Sequence, residues 1–124
     1  LPSIGGQPSV GTSPNAPLPS MRIYLTLGDN PDGKHITAFT VAQTKQVYFW
    51  VEGPKESSVA FTLRLTSPDK KQVQFGPEFR SDPSGKAVGC GQFGDSPAPG
   101  NYVLEVFARG FDEPSARVEF KVNK

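Results

Sequence analysis

The chain has 124 residues, enough for one domain with a core of its own and too few for two of ordinary size. Thirteen basic and twelve acidic residues leave a formal charge of +1, which sets up no field to gather nucleic acid or an anionic membrane surface. The single cysteine, Cys90, excludes an intrachain disulfide and a four-cysteine zinc site.

Residues 1–20, LPSIGGQPSVGTSPNAPLPS, carry no charge and no aromatic ring, and hold Pro or Gly at nearly every turn. They offer too little apolar surface to offset the entropy of ordering, so the segment is read as a flexible linker. A start at Leu1 without methionine raises the expectation of something upstream, another domain or a membrane anchor. No apolar run approaches the ~20 residues of a spanning helix, so no membrane insertion is expected from this segment.

Residues 21–124 read as one all-β domain, with Gly and Pro placed between short apolar runs of period two. Ile23, Leu25 and Leu27 alternate with Arg22, Tyr24 and Thr26, and GDNPDG then supplies a tight turn. Ile36 to Val41 form a shorter run, and QVYFWV, residues 46–51, forms one that is apolar on both faces. Val59, Phe61, Leu63 and Leu65 alternate with Ala60, Thr62, Arg64 and Thr66, after which the SPDKK turn leads to Val73 and Phe75. Lys86 to Phe93 is weaker, and Gly89 and Gly91 there suggest a bulge or a close backbone approach. Tyr102, Leu104 and Val106 share one face of the next run, with Val103, Glu105 and Phe107 on the other. Val118, Phe120 and Val122 complete the pattern. About seven or eight such runs, with no competing amphipathic helix, predict an antiparallel two-sheet sandwich.

PGNYVLEVFA, residues 99–108, resembles the penultimate strand of fibronectin type III and bacterial immunoglobulin-like domains, where a Pro-Gly corner leads into a tyrosine and alternating aliphatics. The resemblance implies that the Tyr102 hydroxyl bonds back to nearby backbone as a tyrosine corner. QVYFWVEGP, residues 46–54, similarly looks like the strand of such domains that carries a buried tryptophan. Antibody domains proper are excluded, because their disulfide cannot form here. What the resemblance implies is a spacer, adhesive unit or docking domain of an envelope or secreted protein, in the periplasm, at the cell surface or outside the cell.

The chemistry-bearing residues point away from catalysis. His35 and Cys90 are the sole Cys–His pair, and they read as a solvent-exposed turn histidine and a small core cysteine. Asp29, Asn30 and Asp32 in GDNPDGK superficially suggest calcium, but alignment on Gly33 puts Gly28 and Phe39 at ligand positions that neither can fill. Asp82 and Asp95 fall in other loops. The remaining acids have no spacing that sets two carboxylates across a glycosidic bond. No catalytic residue, metal ligand or cofactor is therefore assigned. With Val47, Phe49 and Val51 inward, Tyr48 and Trp50 share the outer face with Gln46 and Glu52, and an exposed pair would mark a contact surface. The opposite arrangement buries Trp50 and turns Phe49 outward; the polar flanks favour the exposed one. Phe107 belongs to a second patch, on the other sheet. The expected role is a non-catalytic module contacting a protein partner or a neighbouring domain. The alternative is carbohydrate binding with Trp50, Tyr48 and Tyr24 as a stacking platform.

Overall fold

The computed structural model describes residues 17–93 and 97–124. Most of the expected linker therefore lies outside the described residues, as does Asp95; positions 17–20 have no regular structure. The described residues form strands β1 (Arg22–Leu27), β2 (His35–Ile36), β3 (Ala38–Thr40), β4 (Val47–Glu52), β5 (Ala60–Thr66) and β6 (Gln72–Gln74). They are followed by β7 (Phe79–Arg80), β8 (Val88–Gln92), β9 (Gly100–Ala108) and β10 (Ala116–Asn123). A 3-10 helix, Val41–Gln46, joins β3 to β4.

The strands make two sheets around one core. One has the order β2-β1-β4-β8; the other runs β3-β10-β9-β5-β6, with β7 also paired to β5. The alternation read from the sequence decides which side chains meet. Ile23, Leu25, Val47, Phe49 and Val51 of the first sheet face Phe61, Leu63, Leu104, Val106 and Phe120 of the second, and all are buried. Phe93, just after β8, stands edge-on to Tyr102 at 5.2 Å and to Phe120 at 5.7 Å, while Tyr102 stacks on Phe120 at 5.4 Å. These rings tie the two sheets together at one end of the sandwich, by area burial and favourable ring geometry.

An all-β two-sheet sandwich is thus observed, with three departures from expectation. The described residues form ten strands instead of seven or eight, because four of these strands are only two or three residues long. The sheets are not wholly antiparallel: β3 runs parallel to β10, with Val122 opposite Phe39. That pairing arises because the run expected from Ile36 to Val41 splits at Thr37. β2 pairs with β1, then Thr37 accepts a hydrogen bond from the Lys121 amide at 2.9 Å as the chain crosses to the other sheet.

The third departure concerns β1. Its outward residues Tyr24 and Thr26 are 6% and 0% exposed, where alternation predicts a solvated face. The turn after β1 lies over that face instead. Gly28 anchors it by donating to the Gln46 carbonyl, and Gly33 approaches so closely that a Cβ there would sit 3.9 Å from the Thr26 Cβ. Gly28, at φ +91, takes a left-handed conformation that suits glycine.

The Gly-broken run does form a strand, β8, on the edge of the first sheet. Its register against β4 shifts between Tyr48 and Trp50. Gly89 lies under the indole, where an added Cβ would stand 3.3 Å from Trp50 Cζ3. Both readings of that glycine pair, bulge and close approach, are therefore realised.

Candidate functional site

The four aromatic residues singled out in the sequence fall on the outer faces of the two sheets. Tyr24, Tyr48 and Trp50 lie on the β1–β4 pair, in register as Tyr24 opposite Trp50 and Thr26 opposite Tyr48. Phe107 lies on β9 in the other sheet, opposite Thr62 of β5.

The face of Trp50 is as expected, but its exposure is not. The ring points away from the core, alongside Tyr48 at 6.2 Å, and yet it is only 7% exposed. Trp50 Nε1 donates to Thr26 Oγ1 at 2.8 Å, and that hydroxyl donates onward to the Gly28 carbonyl at 3.0 Å. The indole thus joins the strand pair to the loop that covers it. Trp50 thus has the outward face of one arrangement read from the sequence and the burial of the other, because a loop and not the core covers it. Tyr48 is half-buried and is the most accessible of the three.

Tyr24 is also occupied. The His35 ring stacks on it at 3.9 Å and 12°, and its hydroxyl donates to Glu52 Oε2 at 2.8 Å. Glu52 accepts in addition from Arg22, at 3.2 Å. Burial, the bond to Glu52 and the charge of Glu52 push the phenol up to about 12, against a smaller opposing effect of Arg22. Tyr24 is therefore a donor at neutral pH and not a base. Beside it opens a pocket of about 400 Å³ lined by Tyr24, Pro31, Asp32, Glu52, Lys86 and Ala87. Glu52 and Lys86 were not singled out as binding residues in the sequence. The register that sets Arg22 opposite Glu52 brings the Glu52 carboxylate to Tyr24, and only the fold discloses it.

On the second sheet, Phe107 is half-buried beneath the Arg64 guanidinium, whose carbon lies 4.6 Å from the ring centroid. Arg64 also bonds Glu105 Oε1 at 2.8 Å, so the cation is held over the ring from its neighbouring strand. A hollow of about 400 Å³ adjoins them, with Thr62, Gln72, Val73 and Gln74 among its walls. Unlike the first sheet, this outer face has no loop folded across Phe107 and Arg64 among the described residues.

The remaining sequence candidates are kept apart. His35 is exposed and lies against the outer face of the first sheet, whereas Cys90 points into the core. Burial pushes the Cys90 thiol up to about 12, so it stays protonated at neutral pH. Asn30 closes its own loop by accepting from the Asp32 amide at 3.0 Å, and Asp82 does likewise with the Ser84 amide at 2.9 Å. Among the described residues no three His, Cys, Asp or Glu side chains gather to hold a metal ion. No described helix is long and apolar enough to cross a membrane. No family model, curated protein or solved structure matches the chain.

Proposed function

We propose that the chain is a non-catalytic immunoglobulin-like module of a larger envelope-anchored or secreted protein, serving as a spacer and protein-contact domain. Two features support the immunoglobulin-like assignment. Under this reading β1, β4 and β8 would be strands A, B and E, and β5, β9 and β10 strands C, F and G, with which the two sheet orders agree. The Tyr102 hydroxyl donates to the Ala98 carbonyl at 2.6 Å, the local bond of a tyrosine corner. One departure is that Trp50 stands on the B-like strand and faces outward, with Phe49 in the core position. Residues 1–20 would supply the tether, and the compartment of such a module is extracytoplasmic.

The contact role rests on one observation: among the described residues, the outer face around Phe107 and Arg64 has no loop over it, while the other outer face is covered. Aromatic and arginine side chains are among the residue types that carry interface energy, and these two lie on adjacent inner strands of the sheet. A photo-crosslinking phenylalanine analogue at Phe107, expressed in the source organism, tests this against the same probe at Glu113. A discrete adduct with another protein at 107 alone, lost on Arg64→Glu, is expected; equal labelling at both positions sinks the contact role.

The carbohydrate alternative would have to use Tyr48 and the pocket beside Tyr24, since the Trp50 and Tyr24 rings are covered. A glycan array probed with the native chain and Tyr48→Ala decides it, and no binding by the native chain removes it.

A further inference from the structure

The six-stranded sheet ends on β6, and the hydrogen bonds flanking that strand determine which way its backbone groups point. Ser67 donates to the Lys71 carbonyl at 3.0 Å and Phe75 donates to the Leu63 carbonyl at 2.9 Å, so Lys71 and Phe75 direct backbone groups towards β5. Antiparallel pairs alternate, which makes Leu65 with Val73 the bonded pair between them. Gln72 and Gln74 consequently present their amide N–H and carbonyl groups to the open edge. No other described strand pairs with that edge. It carries neither proline nor charge within the strand, two of the devices that usually blunt a free edge. Val73, at its centre, is 57% exposed, although its partner Leu65 is buried.

We propose that the partner of this edge is the β6 edge of a second copy of the chain, paired antiparallel about a two-fold axis at Val73. The register follows from the phase. Gln72 of one copy and Gln74 of the other can exchange both backbone bonds, and the symmetric pair does the same, for about four bonds in all. Shifting the centre to Gln72 or Gln74 forfeits part of this, because the chain leaves extended geometry at Lys70 (φ 72) and Gly76 (φ 79). Side chains agree with the same register. Val73 meets Val73 in the close, non-bonded position, while Lys71 falls opposite Phe75 and no lysine faces a lysine. A net charge of +1 adds little repulsion between copies. The two-fold axis stands perpendicular to the joined sheets, so both Phe107 faces look the same way. The contact is small, which places it among weak, concentration-dependent associations.

Sedimentation velocity from about 10 µM to about 1 mM reads the association directly, over a range suited to so small an interface. A reversible dimer is expected, and Val73→Lys and Val73→Glu should each weaken it by about tenfold or more by setting like charges face to face. Mixing the two variants should restore it. Because Val73 is largely exposed, both variants keep the native melting curve, which is checked by circular dichroism. Hydrogen exchange supplies a second readout: Gln72 and Gln74 amides gain protection as concentration rises, while the Val73 amide is protected throughout. A chain that stays monomeric at about 1 mM overturns the proposal. So does a dimer indifferent to both Val73 substitutions, whatever crosslinking at Phe107 shows.

Discussion

The chain of bonds from Trp50 through Thr26 to Gly28 makes Thr26→Val an informative perturbation. Thr26 is fully buried and Trp50 nearly so, so removing the hydroxyl leaves the indole N–H without its acceptor and out of reach of bulk water. An orphaned buried donor costs ~1–3 kcal/mol. The added valine methyl returns up to ~0.8 kcal/mol of burial, and the Gly28 carbonyl, at the edge of the loop, can turn to solvent. The net loss is then about 1–2 kcal/mol, which lowers the melting temperature by about 5–15 °C in a domain near 100 residues. Lost packing is separated from the lost bond by a double-mutant cycle with Trp50→Phe, in which no indole remains to be orphaned. Urea unfolding followed by circular dichroism should give a coupling of about 1 kcal/mol or more between the two sites. Additivity within about 0.3 kcal/mol would refute the relay, and with it the claim that the loop is fastened through the tryptophan.

Three further outcomes follow from the structure. Tyr102→Phe keeps the ring against Phe93 and Phe120 but loses the bond to Ala98, and should cost about 0.5–1.5 kcal/mol in chemical denaturation; no loss at all would mean that the corner contributes nothing. Cys90, buried and with its thiol pushed up to about 12, should resist thiol reagents at neutral pH in the native chain and react fully in denaturant; rapid native labelling would contradict its placement. Tyr24 has an ordinary value of 10.0 when unfolded and about 12 when folded, so the fold prefers the protonated phenol. Its contribution is complete below pH 10.0, falls as pH rises towards about 12, and is absent from Tyr24→Phe, whose alkaline stability profile should be flatter.

Much of the architecture is legible in the alternation of side chains, and the failures have physical causes. β5, β9 and β10 each bury one face more deeply than the other, so their period of two translates directly into orientation. β1 has the same period, yet both faces are buried, because the covering loop is a tertiary event to which periodicity is blind. The 3-10 helix has only a short signal, the capping-box spacing of Thr40 to Gln43, whose Gln43 side chain accepts from the Thr40 amide at 2.9 Å. The change of sheet at Thr37 has no comparable signal. Nor does the sequence mark β6 as an edge: QVQ reads as an ordinary short strand until its neighbours are known.

Which outward aromatic rings stay accessible is decided by what else the outer surface must carry. On the first sheet the loop from Gly28 to Lys34 has few apolar groups of its own, and it is fixed to the sandwich by ring stacking, a shared hydroxyl and the anchored Gly28 amide. Trp50 and Tyr24 are consumed in that attachment, which is why their residue type misleads as a sign of binding. On the second sheet Phe107 has no such duty. Its ring is covered by one arginine that is itself held by Glu105, a single polar side chain and not a folded loop. The proposed contact role therefore falls on the sheet with fewer outward aromatics, and the β6 edge, unpaired among the described strands, lies on that same sheet.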